Sequence, residues 1–236
     1  MENNFIFFWG GLYSQWYPSK FKIGDIEYNC CEQYMMAQKA GLFNDKESYE
    51  AIMKESDPKI QKAIGRKVKG FDSDKWNEVC RQIVYEANLA KFGQNPMLLK
   101  ELMKAGNINK EIVEASPYDT IWGIGMGERD PDRFDKSKWK GTNWLGEAIM
   151  QVRKYFRDLF DNASKIRSEF MEQYNSERIC CPNCGSKGGY SQTIARFIFD
   201  ASNPESYKNL NNCQCSQCGN THTFHDRVKS VEHIKK

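Results

Sequence analysis

The sequence predicts an α+β protein in two parts: a mostly helical domain over residues 1–162 and a small β-rich module over residues 179–236, with a linker or helical extension at 163–178. Three observations predict it. Apolar residues recur at helical spacing through long segments between residues 31 and 160. Strand-like runs in that region are short and bounded by Gly and Pro. Six of the nine cysteines (Cys180, Cys181, Cys184, Cys213, Cys215 and Cys218) crowd into the stretch 180–218.

The elements follow in order. Phe5 to Trp9 is aromatic and β-prone, Gly10-Gly11 breaks it, and Pro18 and Gly24 punctuate a second strand before residue 28. Helices are expected over 31–43 and 47–54, and a third opens at Asp57-Pro58, a capping residue followed by a residue suited to the first helical position. Trp76, Val79, Cys80, Ile83, Val84, Ala87 and Ala90 keep helical spacing, with Asp72, Ser73 or Asp74 as caps. Asn95-Pro96 starts another helix through Leu102 and Met103. Residues 111–115 and 120–125 are expected as short strands around Ser116-Pro117. Trp144 to Phe160 carries the last strong apolar stripe, and Ile166, Phe170 and Tyr174 extend its spacing.

Hydrophobic residues make up 40% and charged residues 28%, ordinary for a globular chain able to bury a full core. The longest N-terminal apolar run is far short of a membrane span, and there is no secretory pattern, so the expected setting is cytoplasmic, away from membranes. In that compartment the cysteines are expected as thiols or metal ligands. Residues 163–236 hold 10 Lys/Arg against 7 Asp/Glu and supply the whole net charge of +3, while residues 1–162 balance at 24 of each. That excess is too mild to define a nucleic-acid partner by itself.

The helix over 31–43 holds an anomaly. Glu32 and Lys39, seven residues apart, point the same way, within the stripe of Met35, Met36, Ala40 and Phe43. A buried charge needs a partner or a wet cleft, so the pair predicts a polar pocket cut into the apolar side of the domain. A second cluster runs from Ser116 to Gly127, where Gly123, Gly125 and Gly127 would let backbone approach a ligand, with Asp119 and Trp122 beside them as an acid and a stacking surface. Asn143 precedes a helix, where it serves either as a plain cap or as part of a phosphate site.

These segments together resemble the NADAR/YbiA family. The matching stretches are Cys31-Glu32-Gln33-Tyr34-Met35-Met36-Ala37-Gln38-Lys39-Ala40, Gly65-Arg66-Lys67-Val68-Lys69-Gly70-Phe71-Asp72, Lys91-Phe92-Gly93-Gln94-Asn95-Pro96, Glu114 to Gly125, and Trp139-Lys140-Gly141-Thr142-Asn143-Trp144-Leu145-Gly146. They are collinear over about residues 5 to 157. The resemblance implies a compact, mostly helical α+β domain that cleaves a bond between a ribose C1 and a nitrogen. It places Glu32, Lys39, Asp119 and Trp122 in the active site and Arg66, Gln94 and Asn143 near it. The chain departs at Ser14-Gln15-Trp16-Tyr17-Pro18, where the family commonly has Asn in place of Gln15, and at Trp144, where an aliphatic residue is commoner.

Cleaving a ribosyl C1–N bond builds positive charge on C1 and the ring oxygen, which a carboxylate stabilises. Glu32 is assigned that role, with Asp119 as second acid or orienting group. Two roles fit Lys39: a charge pairing with Glu32 and a phosphate, or a free amine attacking the anomeric carbon. Trp122 and Trp16 offer stacking surfaces for a base.

In the C-terminal module, Cys181-Pro182-Asn183-Cys184 and Cys215-Ser216-Gln217-Cys218 form two CxxC pairs, the spacing of a structural Zn²⁺ ribbon. Cys180 and Cys213 are adjacent spares, and His222 and His225 fall outside the best spacing. Arg196, Phe197, Phe199, Arg227 and Lys229 would allow DNA docking, which favours removal of ADP-ribose from modified guanine in nucleic acid. The alternatives are cleavage of a ribosylated small molecule from riboflavin biosynthesis, or a non-catalytic module that binds ADP-ribose or a nucleotide. No cofactor is expected for catalysis.

Overall fold

The computed structural model describes residues 4–175 and short strand pieces at 190–191, 213–215 and 221–222, with side chains described over 4–165. The chain divides into two compact units, Met1–Phe156 and Arg157–Lys236.

In the first unit, β1 (Phe5–Phe8) pairs in parallel with β4 (Glu111–Glu114), in the register Phe5 to Glu111 through Phe8 to Glu114. The hairpin of β2 (Phe21–Ile23) and β3 (Ile26–Tyr28) stands as a separate two-stranded sheet. The expected pair of N-terminal strands is thus three, and β1 takes a partner a hundred residues away in place of its neighbour. Ile112 and Val113 are both fully buried, so β4 is covered on both faces, as a parallel strand requires.

The helices at Asp57, Asp72 and Pro96 start where the sequence places them, and Asp45 is a further cap. Asp45 caps α2 (Lys46–Lys54) by accepting from Ser48 N, and Asp57 caps α3 (Pro58–Gly65) by accepting from Lys59 N. Asp72 caps α4 (Ser73–Gln94) through Asp74 N and Lys75 N, and Pro96 opens α5 (Pro96–Leu102). The central helix is α1 (Cys31–Leu42), which packs on α2, α3 and α4 and is buried almost all round. Val84, Ala87, Phe92, Ile112, Leu145, Ile149 and Val152 form the core beneath it.

Residues 120–125 are not a strand. Asp119 Oδ1 accepts from Ile121 N at 3.0 Å and Trp122 N at 2.7 Å, which bends the chain, and Gly125 takes a positive φ of 67°. The space beside Gly123 is filled by the Glu114 carbonyl and that beside Gly125 by Lys140 and Thr120, so these two glycines serve close packing of the loop, while the space beside Gly127 is open. The last helix, α6 (Trp144–Asn175), continues past Phe160 through the positions expected as linker or extension, and the division between units falls inside it.

In the second unit, β5 (Tyr190–Ser191), β6 (Cys213–Cys215) and β7 (Thr221–His222) form an antiparallel sheet in that order. Cys181, Cys184 and Cys218 lie outside the described residues, and Cys215 is the last residue of β6. Among the described residues no cluster could hold a metal ion, and no helix is long and apolar enough to cross a membrane.

Candidate active site

Both parallel strands end at one cavity of about 740 Å³ in the first unit. Trp9 follows β1, Glu114 closes β4, and Ser116 comes just after it; the C-terminal end of parallel strands is where such folds commonly bind ligands. The loop after β1 adds Gln15 and Trp16, α1 adds Glu32 and Lys39, α3 and its C-cap add Lys62 and Arg66, and the Asp119 turn adds Asp119 and Trp122. The anomalous pair on α1 therefore lines a cavity, where charged groups share the walls with Trp9, Met35, Met36, Phe71 and Trp76, so the cavity is more apolar than the pair alone suggests.

Glu32 is only 3% exposed. Its Oε2 accepts from the Trp16 indole Nε1 at 3.2 Å, and its Oε1 is buried with no hydrogen-bond partner. Burial raises its pKa above the ordinary glutamate range; Lys62, the Trp16 bond and Arg66 pull the other way, while Asp119 adds to the rise. Its place in the first turn of α1 sets the carboxylate at the positive end of the helix dipole. The backbone ties this turn to the neighbouring loop, since Glu32 N donates to Gln15 O at 3.1 Å.

Glu114 is the acid that sequence reading missed. Burial pushes its carboxyl from 4.5 to about 7, with Asp119 and Glu32 raising it and Lys62 lowering it. Its Oε2 is also buried and unpartnered. The one signal was its place: the acid directly follows Ile112-Val113, an apolar step that a strand buries on both faces. Lys62 was missed as well; its Nζ stands 3.9 Å from Asp119 Oδ2 and 5.8 Å from the Trp16 ring centre.

Lys39 is half-buried, its Nζ 4.0 Å above the Phe71 ring and 5.6 Å from the Trp76 ring. Burial and Arg66 lower its pKa, against Glu32, which raises it. Trp122 packs edge-on against Trp144 at 5.9 Å, so the unusual Trp144 braces one wall of the cavity.

Two expected site residues lie elsewhere. Gln94 does not line the cavity; its amide donates to Lys22 O at 2.7 Å and accepts from Lys22 N at 2.8 Å, pinning β2 to the end of α4. Asn143 is also outside it, at a φ of 56° that departs from an ordinary cap. Its Oδ1 accepts from Glu114 N at 3.0 Å and its Nδ2 donates to Ile112 O at 3.0 Å, so it latches the start of α6 to β4 and lies buried behind the cavity wall.

The model of the NADAR domain family matches residues 7–157, with every cavity residue inside that span. The chain belongs to the NADAR domain family. It is 43% identical over 148 residues to an N-glycosidase of Acanthamoeba polyphaga mimivirus, covering 61% of this chain and 86% of that one. It is 30% identical over 149 residues to an N-glycosidase of Nostoc punctiforme, covering 63% and 87%. The NMR structure of the E. coli protein YbiA aligns with a TM-score of 0.55 at 26% identity, over 66% of this chain and 87% of that one. The protein is accordingly an enzyme of the glycosidase class of hydrolases.

Proposed function

We propose that this member of the family hydrolyses a ribose C1–N bond and that its substrate is ADP-ribosylated guanine in nucleic acid. The observation that carries the chemistry is the pair Glu32 and Glu114, a buried and a half-buried carboxyl in one cavity with different surroundings. Groups whose environments differ in this way divide into acid and base. Glu114, titrating at about 7, holds a proton for the departing nitrogen near neutral pH. Glu32, whose carboxyl burial raises while Lys62, the Trp16 indole and Arg66 draw it back, is assigned as the carboxylate that stabilises positive charge at C1 and takes a proton from the attacking water.

The step balances. The C1–N electron pair leaves with nitrogen, which gains the Glu114 proton; water oxygen bonds to C1 and gives its proton to Glu32; solvent then exchanges protons between the two acids. Asp119 has one oxygen committed to the backbone of its turn and the other facing Lys62, which suits it to orienting this wall more than to proton transfer. Lys39, Lys62 and Arg66 offer cations for the phosphates of an ADP-ribosyl group, and the exposed Trp16 and the Trp122 wall offer faces for a base. On this reading the work lies within residues 7–157, the span that matches the family.

For the second unit we propose a structural Zn²⁺ held by Cys181, Cys184, Cys215 and Cys218, with DNA docking as its use. The two CxxC pairs support the metal, as does the antiparallel pairing of β6 with β7 on either side of the second pair. The metal has no part in the chemistry of the cavity.

The substrate reading is tested by incubating the full chain with an ADP-ribosylated guanine oligonucleotide and, in parallel, with a ribosylaminopyrimidine phosphate of the flavin pathway. Mass spectrometry should find ADP-ribose and restored guanine. Cleavage of the pyrimidine alone would replace this substrate with a small molecule.

A further inference from the structure

Among the described residues, five buried side-chain polar atoms have no hydrogen-bond partner, and three of them, Gln15 Oε1, Glu32 Oε1 and Glu114 Oε2, belong to residues that line the cavity. Buried acceptors left unpaired are costly, so three around one cavity point to a ligand that supplies donors. The two carboxyls change their acceptor capacity as they titrate; the Gln15 amide oxygen does not.

The orientation of Gln15 is fixed by its surroundings. It is 6% exposed, and its Nε2 lies 3.3 Å from the Met35 sulfur, a weak acceptor with nothing to donate. Reversing the amide would set oxygen against sulfur and lose that contact. The oxygen is therefore the end left for a ligand, and the Gln15 backbone carbonyl is already bound to Glu32 N beside the charge-stabilising carboxylate.

We propose that Gln15, together with the free oxygens of Glu32 and Glu114, accepts hydrogen bonds from the ribose hydroxyls next to C1 and so selects ribosyl over 2-deoxyribosyl groups. The assignment rests on the N-glycosidase reading above and gives it a needed discrimination. An ADP-ribosylated guanine in DNA carries three C1–N bonds: from the terminal ribose of the modification to guanine, from its other ribose to adenine, and from the backbone deoxyribose to guanine. The two bonds that a site must tell apart at the guanine itself differ in that only the one to the modification has a 2-hydroxyl beside it. A site built to bond that hydroxyl penalises its absence, because the buried acceptor is then left unpaired.

The test is binding of ADP-ribose and of its analogue lacking the 2-hydroxyl on the terminal ribose, measured by calorimetry on the full chain. No base is attached to that ribose, so any preference arises from the sugar. Wild type should favour ADP-ribose by roughly tenfold to a hundredfold. Gln15→Met keeps the side-chain length but removes the acceptor, and should narrow the preference by about fivefold or more. Gln15→Asn, which draws the amide back by one methylene, should fall between them and serves alone if Gln15→Met fails to fold. Equal wild-type affinity for the two ligands, or a preference unchanged in these variants, would overturn the proposal. Turnover of the guanine substrate is scored separately: its absence removes that substrate without touching the sugar preference.

Discussion

Replacing Glu114 with Gln separates the cost of the site from its use. The Glu114 carboxyl titrates at about 7 in the fold against an ordinary 4.5. A raised folded value means that its stabilisation is fully present below 4.5 and is lost as pH climbs to about 7, above which the loss is constant. The full displacement corresponds to about 3 kcal/mol, and the carboxyl's partial access to the cavity brings this to about 2 kcal/mol. Glutamine has the same shape and nothing to ionise. Glu114→Gln should therefore melt about 4–8 °C above wild type at pH 8, with about a quarter of that gain at pH 5. All six tryptophans lie before residue 145, so fluorescence melting follows the first unit. The same variant should lose about a hundredfold or more in turnover, and the alkaline fall of wild-type kcat/KM near pH 7 should vanish with it. A variant that melts at or below wild type at pH 8, or that keeps full activity, refutes the reasoning.

Three other perturbations test the remaining parts. With water attacking C1 directly and Lys39 serving as a cation, borohydride added during turnover should leave no reduced sugar adduct on the protein; mass spectrometry finding an adduct on Lys39 that is absent from Lys39→Arg would make Lys39 the nucleophile in place of water. A Cβ on Gly146 would collide with the Ile112 carbonyl oxygen, so Gly146→Ala must push α6 off β4, costing about 1–3 kcal/mol in a melt and lowering activity through Glu114. Purified chain should carry one zinc per molecule by elemental analysis, and chelation or Cys184→Ser should release it while cleavage of a small ribosyl substrate continues; a chain without zinc would remove the ribbon.

What the sequence made legible was local. The caps at Asp57 and Asp72, the prolines at 58 and 96, and the periodicity of 76–90 each act within a few residues, and α3, α4 and α5 stand where these placed them. Glu32 and Lys39 were visible because charge within an apolar helical stripe contradicts its neighbours. The parallel pairing of β1 with β4 left no local trace, since its partners are joined only through the fold. Residues 120–125 misled because their apolar alternation resembles a strand, whereas the Asp119 side chain captures the backbone first. Gln94 and Asn143 illustrate the same limit: each is polar and near the site in sequence, yet each spends its amide on backbone atoms of distant segments. Glu114 escaped notice because an acid at a strand end commonly faces water, and only the packing of the loop and α1 buries it.

The central claim is that the buried Glu32 carboxylate supports cleavage at C1. Single-turnover cleavage of an ADP-ribosylated guanine oligonucleotide by Glu32→Gln, beside wild type, tests it most directly. The account predicts a rate lowered about a thousandfold with binding of ADP-ribose retained and melting no lower than wild type. A Glu32→Gln rate within a few-fold of wild type would contradict it.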